Sequence, residues 1–179
     1  MTSIRVVPSA GLDPAEWSAL TDLCVAAFAE PWDGYWESIG PGVHVLAEHP
    51  TVGVIAHAAI VDRLIYPDDA VLQAGYVEAV AVAPDWQRRG VGTEVMEVID
   101  RLIDADYELG ALGTGTLPFY ARLGWVVWQG ETWVRQRDGR LTRSADEDGG
   151  IMVRLTPATP PRLDLTLPIA VDWRPGEVW

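Results

Sequence analysis

The sequence predicts an α/β (α+β) fold, a mixed sheet with helices among its strands, and three observations predict it. Short stretches rich in Val, Ile and Ala have the composition and length of strands. Two longer stretches instead place apolar residues at helical spacing. Turn clusters of Gly, Pro and Asp separate these segments at short intervals, so strands outnumber helices but alternate with them.

Residues 3–7 read as the first strand. Asp13-Pro14-Ala15-Glu16 then supplies an N-cap, a proline at the first helical position and a glutamate at N3. The helix this starts, running to about Phe28, carries Trp17, Leu20, Leu23, Cys24 and Ala27 on one face. Residues 30–36, rich in aromatics and acids, break it, and Gly40-Pro41-Gly42 is a second break. Residues 43–48 and 52–64 read as strands joined by a turn at 49–53. After a turn at 66–69, residues 73–82 form a strand ending at Ala83-Pro84-Asp85. A helix starts near Gly90 and runs to about Ala105, with Val91, Val95, Met96, Ile99 and Ile103 at helical spacing. Residues 109–112 read as a short strand and 117–123 as a short helix closed by Gly124. Strands follow at 125–134 and 150–155, and the tail at 171–179 has no clear regularity. With no repeat, low-complexity run or linker in view, residues 1–179 read as a single domain.

The chain's 179 residues suffice for a self-supporting core, and 49% of them are hydrophobic. No apolar run approaches bilayer length, and the N-terminus lacks the charged start and apolar stretch of a signal peptide. The single cysteine, Cys24, has no internal partner and lies in the apolar helical pattern, which makes it a core thiol. A cytoplasmic location is the expectation. A formal charge of −13 repels phosphate backbones and anionic lipid, so neither nucleic acid nor membrane is an expected partner, whereas polycationic small molecules would be attracted. Charge alone also fits a protein merely kept soluble. His44, His49 and His57 are not spaced as a metal site and no Cys or acid completes one, so no metal is expected; His57 reads as a satisfied sheet histidine.

The segment 76–92 carries the strongest local signal. A strand is followed by a turn and then by Gln87-Arg88-Arg89-Gly90-Val91-Gly92, a basic, glycine-containing loop opening a helix. Glycines there allow close backbone approach, and a helix N-terminus favours anions, so the site suits a diphosphate. On these residues alone, a plain strand–turn–helix junction with two surface arginines also stands. In context the segment resembles the acetyl-CoA motif of GNAT acetyltransferases, Q/R-x-x-G-x-G/A, at Gln87, Gly90 and Gly92. Phe119-Tyr120-Ala121-Arg122-Leu123-Gly124-Trp125 is similar to the family's F-Y-x-x-x-G-[FW] segment. The resemblance implies a central, mixed, mostly antiparallel twisted sheet flanked by helices. It implies acetyl-CoA as cosubstrate, held by Val80, Ala81 and Val82 of the strand and by Gln87, Arg88, Arg89, Gly90, Val91, Gly92 and Thr93. Many members of this fold pair as homodimers, though the residues leave the oligomeric state open.

Acetyl transfer to an amine requires the ammonium to lose a proton, a donor to the thioester oxygen and a proton for the leaving thiolate. Glu78, a carboxylate inside an apolar strand, is the candidate base; an outward, solvated glutamate is the alternative. Backbone N–H groups near Val80 and Ala81 are candidate oxyanion donors. Tyr120 is the candidate acid, against a core tyrosine beside Phe119.

Asp172-Trp173-Arg174-Pro175-Gly176-Glu177-Val178-Trp179 resembles the D-[WF]-R-x-G-[DE]-x-W ending of aminoglycoside 2'-N-acetyltransferases, and residues 75–79, 107–112 and 146–150 also resemble that family. This implies acetylation of an aminoglycoside 2'-amino group, conferring antibiotic resistance. It implies a polycation site built from Asp33 and Trp36 after the first helix, Glu78, the acidic run Asp146-Glu147-Asp148, Glu177 and Trp179 with its terminal carboxylate. A surplus of carboxylates suits such a substrate, although an acidic run is more often a solvated turn. An acetyltransferase for another amine, such as a polyamine, an amino sugar or a peptide amine, and a non-catalytic acyl-CoA-binding module remain the alternatives.

Overall fold

The computed structural model describes residues 2–179. It contains a mixed, mostly antiparallel sheet with helices α1 (Pro14–Phe28), α2 (Tyr35–Ile39), α3 (Val91–Asp106) and α4 (Leu117–Ala121). Two compact units divide the chain: one comprises the chain up to Val61 together with Val77–Ile99, the other Asp62–Tyr76 together with Asp100–Trp179. Strands β3 (Gly53–Pro67) and β4 (Leu72–Val82) and helix α3 run through both.

In the first unit, β1 (Ser3–Pro8) pairs antiparallel with β2 (Gly42–His49), which pairs antiparallel with β3. Asp13 caps α1 in the expected reciprocal way. Its Oδ1 accepts the N–H groups of Ala15 (2.8 Å) and Glu16 (2.9 Å), while Glu16 Oε2 accepts the Asp13 N–H (2.9 Å). Leu20, Leu23 and Cys24 form the buried face of α1, and burial pushes the Cys24 thiol up to about 12. The segment read as a break continues into α2. Five residues are too few to show a helical period, and packing supplies what propensity does not. Trp36 Nε1 donates to Thr21 Oγ1 of α1 (2.9 Å), and the rings of Trp32 and Tyr35 lie 4.1 Å apart.

In the second unit, β4 pairs in parallel with β5 (Leu109–Gly113), and β9 (Ile151–Leu155) pairs antiparallel with both β5 and β6 (Val126–Val127). β10 (Ile169–Asp172) pairs antiparallel with β3 and parallel with β7 (Thr132–Arg135), which also pairs with β8 (Leu141–Arg143). The single strand expected over 125–134 is therefore two strands with different neighbours. Gly130 explains the split, because a Cβ there would lie 1.8 Å from the Leu167 carbonyl oxygen. The N–H groups of Gln129 and Gly130 instead donate to Leu165 O at 2.9 and 3.0 Å. Close backbone approach thus overrides the strand propensity of the flanking residues. The start of the tail, read as irregular, supplies the last residues of β10.

The helix expected near Gly90 begins at Val91, and its apolar positions Val91, Val95, Met96, Ile99 and Ile103 are all buried.

Candidate active site

β4 departs from simple alternation where the chemistry was expected. Tyr76, Val77, Glu78 and Ala79 are buried in succession, and Ala79 has φ +51°, a left-handed conformation that alanine adopts only when its surroundings hold it. Glu78 is 7% exposed, so it is not the solvated glutamate of the alternative reading. Its Oε2 accepts a hydrogen bond from the Tyr35 hydroxyl of α2 at 2.7 Å. The next carbonyl, Ala79 O, meets the Nδ1 of buried His57 at 2.9 Å. A carboxylate retained in such a place, with one oxygen held by a phenol, is a candidate for a chemical role. Trp36, expected at the acceptor, is half-buried and packs on Trp17, Trp32 and Tyr35, with ring separations of 5.3, 6.0 and 5.8 Å. Asp33 is exposed in the loop before α2.

The basic loop lies in the same unit. After β4 the chain makes a short 3-10 turn (Pro84–Trp86), whose preceding residue Ala83 donates its N–H to Ile55 O at 2.9 Å. Gln87 Nε2 returns to Val82 O at 3.2 Å. Arg88 (φ +59°) and Gly90 (φ +88°) then take left-handed conformations, and the space where a Gly90 Cβ would stand is empty to 4 Å. Alternating conformations of this kind turn successive N–H groups to one side, at the start of a 16-residue helix. Arg88 and Arg89 are exposed and form no ion pair among the described residues; the Arg89 guanidinium stands over the Trp86 ring at 5.4 Å. The loop therefore has the donors, the charge and the room for a diphosphate. Val80 and Val82 are half-buried and Ala81 is buried in β4, while Val91, Gly92 and Thr93 form the first turn of α3.

The second unit holds the remaining candidates. Tyr120 is buried in α4 against Phe119 (4.9 Å) and Trp125 (6.3 Å). Burial pushes its phenol up to about 12, and a hydrogen bond with the Thr114 side chain acts in the opposite direction. Asp146 and Glu147 lie on a 3-10 turn (Ala145–Glu147). Partial burial raises the Glu147 carboxyl above its usual range, and the charges of Glu177 and Asp146 raise it further, so these acids are mutually close. Asp148 differs. Its Oδ1 accepts from Thr132 N, Thr132 Oγ1 and Arg143 Nη1, each at 2.9 Å, and its Oδ2 pairs with Arg143 Nη2. The Arg143 hydrogen bond, aided by Thr132, holds the Asp148 carboxyl well below the usual range. Trp179 is 7% exposed and donates from Nε1 to Ser144 Oγ at 3.0 Å. Arg63 ties down the tail through Val178 O and, at 2.7 Å, Asp172 O; Tyr66 binds Asp172 Oδ2 at 2.8 Å. Among the described residues, no group of three His, Cys, Asp or Glu side chains is arranged to hold a metal ion, and no helix is long and apolar enough to cross a membrane.

The family model for the acetyltransferase (GNAT) domain matches residues 41–127. The aminoglycoside 2'-N-acetyltransferase of Mycolicibacterium fortuitum is 37% identical over 180 residues, covering 98% of this chain and 91% of the relative. The chain belongs to the GNAT acetyltransferases. Among solved structures, the GNAT family N-acetyltransferase YhbS from Escherichia coli, in complex with CoA, shares the fold of this acetyltransferase with a TM-score of 0.66. The two are 15% identical, and the match covers 95% of this chain and 89% of that one. Eis1 from Mycobacterium abscessus matches with a TM-score of 0.61 and 18% identity over 74% of this chain, which spans only 33% of Eis1.

Sequence reasoning missed three side chains of this acetyltransferase: Tyr35, which holds Glu78, His44, which bonds His57, and Arg143, which engages Asp148. A tyrosine in an aromatic loop and an arginine some residues from an acid carry no spacing signal. For His44, the available signal was its place two residues into a strand paired with the strand of His57.

Proposed function

We propose that this GNAT acetyltransferase acetylates the 2'-amino group of aminoglycosides. The observation that carries the reading is the 37% identity, over 98% of the chain, to a relative named for that activity. An end-to-end match of this kind also supports reading residues 1–179 as one acetyltransferase domain. Acetyl-CoA, when bound, supplies the acetyl group as a thioester. The loop 87–92 and the first turn of α3 through Thr93 offer N–H groups and two arginines for its diphosphate, with Val80, Ala81 and Val82 of β4 as further backbone partners.

Glu78 is the proposed base. It removes a proton from the substrate ammonium directly or through one water, which frees the lone pair for attack. Tyr120 is the proposed acid toward the departing thiolate, and its raised pKa keeps its proton available throughout the neutral range. Asp146, Glu147 and Glu177 are proposed to accept ammonium groups. Crowding of like charge around Glu147 supports this, because a bound cation relieves the repulsion. Asp148, engaged by Arg143, is proposed to shape the acidic turn rather than to meet the substrate. Asp33 and Trp179 complete the proposed acceptor set, with Trp36 supporting the loop that carries Asp33.

The test measures CoA release from acetyl-CoA with a 2'-amino aminoglycoside beside its 2'-hydroxyl analogue. Turnover of the 2'-amino compound alone is expected, and Glu78→Gln should lower kcat by about 10²–10⁴ while acetyl-CoA still binds. Equal turnover of both compounds, or of neither, would refute transfer to the 2'-amine.

A further inference from the structure

Two imidazoles lie in the interior of the first unit with no part in acetyl transfer as described above. His57 is 0% and His44 1% exposed, yet both are fully engaged in one chain of hydrogen bonds. His57 Nδ1 lies 2.9 Å from Ala79 O, His57 Nε2 lies 2.9 Å from His44 Nδ1, and His44 Nε2 lies 2.8 Å from Ser9 Oγ. Ser9 Oγ accepts the Gly42 N–H at 2.9 Å.

Donor and acceptor chemistry gives this chain one direction. A carbonyl oxygen only accepts, so His57 must carry its proton on Nδ1. A neutral ring then presents a lone pair at Nε2, which requires the proton on His44 Nδ1. His44 Nε2, left with a lone pair, in turn accepts from the Ser9 hydroxyl at 2.8 Å, the shorter of that hydroxyl's two contacts with an acceptor, Gly42 O lying at 3.2 Å. Both rings stay neutral at physiological pH, because burial lowers His44 to about 4 and His57 to about 3. The chain ends on the carbonyl of the one residue in β4 with a left-handed backbone, directly after Glu78. A left-handed alanine is unfavourable and persists only where its surroundings hold it.

Helix α2 acts on both residues. Tyr35 donates to the Glu78 carboxylate, and the adjacent Trp36 ring lies edge-on to His57 at 5.6 Å. Trp17 packs edge-on to His44 at 5.1 Å. We propose that Ser9, His44 and His57 are positioning residues: they fix the Ala79 carbonyl and with it the left-handed Ala79 backbone that directly follows Glu78, and so aim Glu78 for proton transfer. This rests on Glu78 being the base.

The experiment compares His57→Leu, His57→Asn, Glu78→Gln and the double variant E78Q/H57L. His57→Leu should lower kcat about tenfold with little change in the KM for acetyl-CoA, the signature of a misaimed base rather than a lost binding site. His57→Asn, which keeps an N–H within reach of Ala79 O, should recover most of that loss. The double variant should be no slower than Glu78→Gln alone, since both act on one step. If Glu78→Gln is slow but His57→Leu turns over normally, positioning is refuted and the base assignment survives. If Glu78→Gln itself turns over normally, the base assignment fails and the positioning role fails with it. Nitrogen-resolved NMR of the imidazoles in the wild-type protein at neutral pH supplies a readout independent of any variant's folding. Nδ1–H tautomers are expected at both histidines, and an Nε2–H tautomer at His57 would overturn the proposal.

Discussion

Glu78 and Tyr120, the proposed base and acid, are both buried, and different neighbours meet their polar atoms. Glu78 keeps a carboxylate inside a strand by meeting the Tyr35 hydroxyl, while Tyr120 keeps its proton because a buried phenolate would be poorly solvated. The second statement is open to titration. Its ordinary value is 10.0 and burial moves it up to about 12, so Tyr120 should remain protonated through the whole range in which enzyme assays run. Tyrosinate absorbance of the native protein minus that of Tyr120→Phe should show no difference until the pH approaches 12. A difference step near 10 would remove Tyr120 as a protected acid. Glu78 was legible in the sequence because a carboxylate in an apolar run is conspicuous. Tyr35 was not, since nothing in a broken aromatic loop distinguishes a phenol that holds a buried carboxylate from one that fills space. His57 was legible as a satisfied sheet histidine, but its main side-chain partner depends on β2–β3 register, which hydropathy does not encode.

Elements with strong local punctuation were read well, and those fixed by tertiary contact were not. The Asp13–Glu16 capping box starts α1 where the sequence places it. Asp13→Ala should cost about 1 kcal/mol and lower Tm by roughly 2–4 °C, with kcat unchanged. An unchanged Tm would mean that packing of Leu20, Leu23 and Cys24 alone sets the helix start. The turn, the glycines and the apolar period between Ala83 and Ala105 likewise made α3 and its basic loop legible in advance. Strands β6 and β7 were merged because Gly130 sits between two stretches that both favour strand, and what separates them is the backbone at 165–167. Helix α2 and strand β8 are too short for any period to emerge. At the acidic turn, the sequence showed three equivalent carboxylates. Folding divides them, because Asp148 meets Arg143 and Thr132 while Glu147 is left among like charges.

Over the whole molecule, the buried histidines set a pH dependence of stability. Both have an ordinary value of 6.5, and burial lowers them to about 4 and about 3 in the folded protein. The unfolded chain therefore binds protons first. Their contribution is fully present above 6.5 and is lost as the pH falls toward the folded values. Urea midpoints should drop across that window, and His57→Asn should flatten the drop by removing one of the two rings. Equal slopes for the two proteins would show that carboxylates, which outnumber Lys and Arg by 26 to 13, govern acid unfolding instead. The seclusion of Cys24 has a practical side. As the sole thiol, inside α1 and with its pKa near 12, it should be inert toward the disulfide reagents that report free CoA. The native protein would then be optically silent in that assay, and a cysteine placed at a chosen surface position would take a fluorescent label at that point alone.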